Sequence, residues 1–254
     1  MKKLALILAL GLFLGACSAA PEVVEETPSI VVLTSPDYPP YESVAADGTY
    51  EGFDIDLMEA LAAEMGVTVE WKEQSFDGIV AAISAGQGDM AISGMNVSEE
   101  RKLTVDFSDI YKADGNLYQA VVKAADGFAS IDDLNGKIIG VQTGTVQESA
   151  MNSIAATYGF EVVSYQTFNT IVQDILNDRV DALVIDSTNA ETYAAENTDL
   201  TTFTLEADGL DGKAGTAIAF PKGSEWVAKV NEALATLTAN GKLAEIDAKW
   251  FPAQ

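Results

Sequence analysis

Short apolar runs alternate with longer amphipathic runs from residue 30 onward, which is typical of a protein that mixes strands and helices. The first series predicts three strands and two helices in β-α-β-α-β order. The strands are expected at residues 30–34, 68–71 and 90–92, and the helices at 54–65 and 78–85. Two further apolar runs, 105–107 and 117–122, predict strands, and the second is suited to crossing into the next unit.

A second series of similar size follows a boundary near Lys123. Its strands are expected at 138–141, 161–165, 182–185, 200–205 and 215–220, its helices at 147–157, 169–176, 187–196 and 225–239, and a short final helix ends at KWF, residues 249–251. Two such series predict an α/β protein with two lobes. Ligands commonly bind in the cleft between lobes.

The first residues have the pattern of an export signal. Two lysines precede the apolar run 4–14, which leads into LGAC, and the last residue of this motif is Cys17, the only cysteine of the chain. The pattern predicts a lipoprotein signal peptide over residues 1–16 and a diacylglycerol thioether on Cys17. The alternative is an ordinary cleaved signal with an incidental cysteine. Residues 17–29 are small, acidic and proline-containing, which favours a flexible tether. We therefore expect an exported protein, anchored by lipid at the outer face of the cell membrane or in the periplasm.

The charge of the chain and its lack of histidine exclude several classes of function. The formal net charge is -25, there is no histidine, and the acidic residues are spread along the whole chain. This balance excludes nucleic acid as a partner. The absence of histidine removes imidazole bases and most catalytic zinc sites, and one acylated cysteine leaves no thiolate chemistry. No cofactor and no metal are expected.

The segment SGMNVSEER at residues 93–101 predicts an anion-binding socket. An apolar strand runs directly into Gly94, so backbone N–H groups and hydroxyls can converge there beside the guanidinium of Arg101. A guanidinium binds a carboxylate through two parallel hydrogen bonds. In the alternative interpretation, Ser98 caps a short helix and Arg101 pairs with Glu99 or another neighbour.

Several motifs in register resemble one family. They are YPPY at 38–41, GFDIDL at 52–57, the segment 93–101, VDFSD at 105–109, residues 140–147, RVDA at 179–182, residues 217–222 and KWF at 249–251. Through them, nearly the whole mature chain resembles the extracellular solute-binding proteins of polar amino-acid ABC transporters. The resemblance implies a periplasmic-binding-protein type II fold, in which two α/β lobes close like a flytrap about two crossing strands. Lobe 1 would comprise residues 30–121 and 218–254, and lobe 2 residues 122–217, with crossings near Val121 and at 215–217.

The same resemblance implies a set of ligand-binding residues. Arg101 would form the bidentate bond to the α-carboxylate of an amino acid, and Asp186 would receive its α-ammonium group. The residues expected to complete the site are Ser93, Gly94, Met95 and Asn96 around the carboxylate, Thr145 and Val146 at the start of a helix, and Tyr38 and Phe76 against the ligand's side chain. From the residues alone, Thr145 and Asp186 could also be plain helix caps, and the two aromatic residues could belong to the core.

The GFDIDL motif is interpreted as structural. Gly52 permits a close approach of the backbone, and Asp54 is expected to cap the helix that follows. Ile55, Leu57 and Met58 are expected to face inward. The motif is therefore not placed among the ligand-binding residues.

The resemblance implies capture without chemistry. The lobes would close on a free amino acid, and the closed form would deliver it to the permease of an ABC transporter. The protein is expected to act as a monomer and not as an enzyme. Two alternatives stay open: an amino-acid sensor with the same site, and a dehydratase of prephenate-like acids with Asp37 or Glu42 as general acid. Ser35 lies where some binders of basic amino acids carry an acidic residue, which argues against lysine or arginine as the ligand.

Overall fold

The structure is a computed structural model, and it describes residues 27–113, 115–210 and 215–251. The predicted signal peptide (1–16) and the lipid attachment at Cys17 lie outside these residues. So does most of the predicted tether, whose last residue, Ser29, begins the first strand and pairs with Thr68. Within the described ranges, no helix combines the length and the apolar character that crossing a membrane requires.

The first part of the chain forms an α/β unit. Its elements are β1 (Ser29–Thr34), β2 (Asp37–Tyr38), β3 (Glu42–Val44), β4 (Tyr50–Glu51), α1 (Phe53–Met65), β5 (Thr68–Glu73), α2 (Phe76–Ser84), β6 (Met90–Ala91), α3 (Glu99–Lys102) and β7 (Val105–Phe107). Strand β1 runs parallel to β5 on one side and to β6 on the other. Val32 and Leu33 of β1 are both fully buried and belong to different core clusters, as expected of a strand whose two faces are covered.

The middle of the chain forms a second sheet and a connecting ribbon. The elements are β8 (Lys112–Ala113), β9 (Gln119–Lys123), β10 (Ile138–Gln142), α4 (Val146–Tyr158), β11 (Glu161–Tyr165), α5 (Phe168–Leu176), β12 (Ala182–Ile185), α6 (Ser187–Glu196), β13 (Leu200–Thr204) and β14 (Gly215–Thr216). The second sheet has the strand order β11-β10-β12-β9-β13. In it, β10 is parallel to both its neighbours, whereas β9 is antiparallel to both of its own.

The last elements return to the first sheet. They are β15 (Ala219–Pro221), α7 (Trp226–Ala239) and α8 (Lys242–Trp250). Strand β15 lies between β6 and β7 and runs antiparallel to both. Helices α7 and α8 pack against α1. The first lobe is thus assembled from two parts of the chain that are far apart in sequence.

Two short strands connect the lobes. Strands β8 and β14 form a separate antiparallel ribbon in which Thr216 lies opposite Lys112. Strand β9 pairs along its whole length in the second sheet. The boundary predicted after residue 121 lies within this strand, and the range predicted for the second crossing, 215–217, contains β14.

The GFDIDL motif is only partly as predicted. A Cβ atom at Gly52 would lie 2.1 Å from the carbonyl oxygen of Tyr41, so the close approach requires glycine. Ile55, Leu57 and Met58 are buried. The capping role predicted for Asp54 is wrong, because Gly52 occupies the N-cap position of α1. The carboxylate of Asp54 instead accepts a hydrogen bond from the backbone N–H of Gly94, in the segment 93–101 that contains Arg101.

Two local features differ from the sequence-based prediction. The small sheet β2-β3-β4 was not predicted, since its strands have only two or three residues each and are too short for alternation to be visible. The strand predicted over 215–220 is divided into β14 and β15. The division occurs where the backbone N–H of Ala217 donates to the carbonyl oxygen of Met95 at 3.1 Å, which ties this turn of chain to the segment 93–96.

Candidate functional site

A small cavity lies between the lobes, and side chains from both lobes line it. Its volume is about 20 Å³, room for about one water molecule. The lining residues are Asp37, Tyr38, Glu42, Phe76, Gly94, Asn96 and Arg101 from the first lobe, and Gln142, Thr145, Val146, Gln147 and Phe168 from the second. Seven of the residues predicted from sequence are thus brought together: Tyr38, Phe76, Gly94, Asn96, Arg101, Thr145 and Val146. Ser93, Met95 and Asp186 are buried outside this lining.

Arg101 enters the cavity from the short helix α3. The hydroxyl of Ser98 caps this helix by accepting a hydrogen bond from the backbone N–H of Arg101 at 3.2 Å, as the alternative interpretation predicts. The second half of that interpretation is wrong for Glu99, which pairs with Lys102 at 2.8 Å. The cap and the socket are therefore compatible, because the cap uses the backbone of Arg101 and leaves its side chain for the cavity.

The guanidinium of Arg101 joins the two lobes. Its Nη1 donates to the carbonyl oxygen of Asn96 at 2.6 Å, and its Nη2 donates to the carbonyl oxygen of Gly144, in the second lobe, at 2.9 Å. It also lies 5.4 Å from the ring centroid of Phe76. Burial lowers the pKa of Arg101 to about 10, which leaves it protonated at neutral pH. Both hydrogen-bond partners are neutral carbonyl groups, so the buried positive charge favours an anion in the cavity.

Two buried carboxyl groups accept hydrogen bonds from the segment 93–96. The hydroxyl of Ser93 donates to Glu42 Oε1 at 2.8 Å, and the backbone N–H of Gly94 donates to Asp54 Oδ2 at 2.6 Å. The side chain of Met95 belongs to the core. Ser93 and Met95 therefore fix the shape of the segment, while Gly94 and Asn96 present it to the cavity.

Helix α4 begins at the cavity with Thr145 as its N-cap. The Thr145 hydroxyl accepts from the backbone N–H of Glu148 at 3.1 Å and donates to the carbonyl oxygen of Gln142 at 2.7 Å. The capping interpretation of Thr145 is thus confirmed. It is also compatible with an anion site, because the first N–H groups of a helix have no partner within the helix and carry the positive end of its dipole.

Asp186 is the N-cap of α6 and also contacts the other lobe. Its Oδ1 accepts from the backbone N–H of Asn189 at 3.2 Å, and its Oδ2 accepts from the side-chain amide of Asn189 at 3.0 Å. The hydroxyl of Tyr38, from the first lobe, donates to the same Oδ2. Burial raises the pKa of Asp186, although these hydrogen bonds oppose the shift. Asp186 therefore caps α6 and contacts the first lobe at the same time.

Aromatic rings from both lobes flank the cavity. Tyr38 stacks on Phe168 with ring centroids 5.1 Å apart, and Phe76 lies on the side of Arg101. The sequence pattern indicated Tyr38 and Phe76 but not Phe168. Phe168 is the first residue of α5 and continues the apolar pattern of that helix, so its spacing is that of a core residue.

A carboxylate that the sequence pattern did not assign to ligand binding also lines the cavity. Asp37 Oδ1 accepts from the hydroxyl of Ser35 at 2.9 Å, and its Oδ2 accepts from the side-chain amide of Gln142, in the second lobe, at 2.9 Å. Burial raises the pKa of Asp37 to about 6. A carboxylate thus lies two residues beyond Ser35, the position that is not acidic in this chain.

Comparison with known proteins identifies one family. The chain matches the model of bacterial extracellular solute-binding proteins, family 3, over residues 30–253. It is 38% identical over 222 residues to the arginine-binding extracellular protein ArtP of Bacillus subtilis, which covers 87% of this chain and 86% of that protein. It is 37% identical over 208 residues to a probable histidine-binding protein of Campylobacter jejuni, covering 80% and 79%. The solved structure of an ancestral arginine-binding protein bound to glutamine matches with a TM-score of 0.80 and 36% identity, covering 90% of this chain and 100% of that one.

Proposed function

Because the chain belongs to the bacterial extracellular solute-binding proteins of family 3, we propose that its lobes close on one free L-amino acid with a positively charged side chain. The protein is an amino-acid-binding protein of an ABC transporter and not an enzyme, so the dehydratase alternative is wrong. The observation that carries amino-acid binding is the buried guanidinium of Arg101, which has neutral partners on both sides of the cleft and favours a carboxylate. The carboxylate of Asp37 in the cavity lining supports the positively charged side chain.

The α-carboxylate of the ligand binds between Arg101 and the start of α4. Arg101 provides a planar fork of N–H donors, and the first turn of α4 provides backbone N–H groups beside Thr145 and Val146. One group belongs to each lobe. Binding of the carboxylate therefore favours the closed arrangement over the open one.

The α-ammonium group of the ligand binds to Asp186. This carboxylate is buried outside the cavity lining of this structure, where the Tyr38 hydroxyl from the first lobe donates to it, and the ammonium group would take the place of that donor. An ammonium group would lower the free energy of the ionised form, which burial otherwise disfavours. A cation site and an anion site at a fixed separation distinguish an α-amino acid from a simple carboxylic acid.

The side chain of the ligand would lie against Asp37 and the aromatic rings once the cleft is wider than the present cavity of about 20 Å³. Asp37 carries the negative charge that a guanidinium or ammonium group requires, and Tyr38, Phe76 and Phe168 offer ring faces. Two relatives, an arginine-binding protein and a probable histidine-binding protein, support a basic ligand.

We further propose that the protein works as a monomer, tethered to the membrane by a lipid on Cys17. It would pass its ligand to the permease subunits of the transporter in the closed form. Of the described residues, its lobes would be 30–111 with 218–251 and 115–210, with the hinge in the ribbon of β8 and β14.

A thermal-shift screen tests the proposed function. Protein that starts at Ser29 is unfolded, dialysed and refolded to remove co-purified ligand, and is then tested against the common L-amino acids and prephenate. A ligand at about 100 times its Kd adds about 2.7 kcal/mol to stability, so L-arginine, L-lysine or L-histidine should stand out. Stabilisation by acidic or apolar amino acids alone would contradict the basic ligand, and stabilisation by prephenate alone would contradict amino-acid binding.

A further inference from the structure

Two buried carboxyl groups accept hydrogen bonds from residues 93 and 94, in the segment beside the cavity. Glu42, on β3, and Asp54, on α1, are both fully buried. Each holds one residue of the segment, since Glu42 Oε1 accepts from the Ser93 hydroxyl at 2.8 Å and Asp54 Oδ2 accepts from the Gly94 N–H at 2.6 Å. Asp54 Oδ2 also accepts from the hydroxyl of Tyr111 at 2.9 Å.

The other oxygens of the two carboxyl groups lack donors. Glu42 Oε2 and Asp54 Oδ1 are buried and receive no hydrogen bond from any other described residue. The two groups hold adjacent residues of the chain, Ser93 and Gly94, and each affects the pKa of the other. Two ionised carboxylates in contact, away from water, repel strongly, whereas a single proton between them removes the repulsion and gives both oxygens a partner.

Burial and the neighbouring charges favour a proton on this pair. The titratable and charged groups that face it are Asp37 on β2, Tyr41, Tyr111 and Lys112 on β8. Lys112 is the cation that acts on Asp54, and it is already paired with Asp247 at 2.5 Å. Burial, together with the charge of Asp54, raises the pKa of Glu42 well above its usual range, and burial raises the pKa of Asp54 to about 7.

We propose that Glu42 and Asp54 share one proton between Glu42 Oε2 and Asp54 Oδ1, and that this protonated pair positions Ser93 and Gly94 for ligand binding. Amino-acid affinity then falls at alkaline pH, when the pair loses its proton. The binding part of this inference rests on the proposed function. Glu42 also lines the cavity, but neither residue is assigned a contact with the ligand, so both are positioning residues.

The structure explains how loss of the proton would reach the ligand. Repulsion would push one carboxylate away from the other, and each carboxylate carries a hydrogen bond to the segment 93–94. Gly94 is packed so closely that a Cβ atom there would lie 2.8 Å from the ring of Tyr38. A shift of the segment therefore moves Tyr38, which lines the cavity and bonds to Asp186.

Infrared spectroscopy in D₂O tests the shared proton without any ligand. At about pH 8, where an ordinary carboxyl group is ionised, the wild type should show the carbonyl band of a protonated carboxylic acid. The band should disappear in Glu42→Gln and in Asp54→Asn, each of which places an amide donor opposite the remaining carboxylate. Glu51→Gln, at an exposed position of the same small sheet, should leave the band unchanged. Absence of the band in the wild type, or its persistence in both variants, would overturn the shared proton.

Calorimetric titration over a range of pH tests the positioning role. Asp54→Asn should bind the ligand within about threefold of wild type at neutral pH, because the amide still donates to Glu42 and its oxygen still accepts from Gly94 and Tyr111. Above about pH 8, wild-type affinity should fall more steeply than that of Asp54→Asn, while Glu51→Gln should follow the wild type. Coincident profiles for wild type and Asp54→Asn would contradict the positioning role. A protein that shows the acid band but binds no amino acid would contradict the proposed function and support the shared proton.

Discussion

Arg101 of the first lobe and Gly144 of the second are joined across the cleft by one hydrogen bond, from Nη2 to the carbonyl oxygen at 2.9 Å. Gly144 immediately precedes Thr145, the N-cap of α4. A carboxylate held by Arg101 would therefore also meet the positive end of a helix dipole. Lobe closure and recognition of the α-carboxylate use the same guanidinium, which makes Arg101 the most sensitive position of the site.

Arg101→Ala should weaken amino-acid binding by a factor of about 100 or more, because removing one member of a buried ion pair costs about 3–5 kcal/mol. Titration calorimetry measures the loss, and circular dichroism should show an intact fold. Lys102→Ala is the matched control, since Lys102 is the next residue of the same helix and its ammonium group pairs with Glu99. Wild-type affinity in Arg101→Ala would exclude the socket.

Gly94→Ala should lower both stability and affinity. The φ angle of Gly94 is 52°, and a side chain in this left-handed region costs about 1–2 kcal/mol. The added methyl group would also push against the Tyr38 ring, only 2.8 Å away. Gly86→Ala separates the two effects, because Gly86 has a φ of 72° and open space around it. It should lose stability in thermal unfolding but keep its affinity. Unchanged affinity in Gly94→Ala would show that the segment does not position Tyr38.

Asp37→Asn should change the choice of ligand more than the strength of binding in general. We expect affinity for L-arginine or L-lysine to fall by a factor of about 10 or more, since a hydrogen bond to a charged group contributes about 1.5–3 kcal/mol. Affinity for L-glutamine should change by less than about threefold, because a neutral side chain does not need the charge. Asp47→Asn, in an exposed turn, is the control. Equal losses for arginine and glutamine would contradict the role of Asp37.

Stability should fall as the pH rises from about 4 to about 7. Burial raises the pKa of Asp37 to about 6 and that of Asp54 to about 7, so in this range the folded protein binds more protons than the unfolded chain, whose carboxyl groups titrate near pH 4. Urea unfolding in high salt, which screens the general repulsion of a chain with net charge -25, measures the slope. In Asp37→Asn, the free energy of unfolding should change less steeply with pH below about pH 6. A free energy of unfolding that rises over this interval would contradict the buried acidic cluster.

Much of the fold could be predicted because its elements are long and regularly patterned. The helix expected at 54–65 is α1, Phe53–Met65, and the strand expected at 182–185 is β12, Ala182–Ile185. The small sheet β2-β3-β4 could not be predicted, since a two-residue strand has no visible period. The strand expected at 117–122 is β9, Gln119–Lys123. Its ends are set by pairing with β12 and β13, which depends on the tertiary structure.

The site was less accessible to prediction because its residues depend on long-range contacts. Asp54 has the sequence position of a helix cap, and only the approach of Gly94, forty residues later, makes it the support of the binding segment. Gln142 ends an apolar strand and meets Asp37 across the cleft. Each interaction joins residues that have no recognisable spacing in the chain, so no local pattern could indicate it.

We propose that the cleft recognises both charges of an α-amino acid. Titration calorimetry on refolded, ligand-free protein tests this recognition directly. The titrants are L-arginine, agmatine, which lacks the α-carboxylate, and 5-guanidinopentanoate, which lacks the α-ammonium group. L-arginine should bind, and each analogue should bind more weakly by a factor of at least about 10, because each leaves Arg101 or Asp186 as a buried charge without its partner. Binding of either analogue as tightly as L-arginine would contradict the claim.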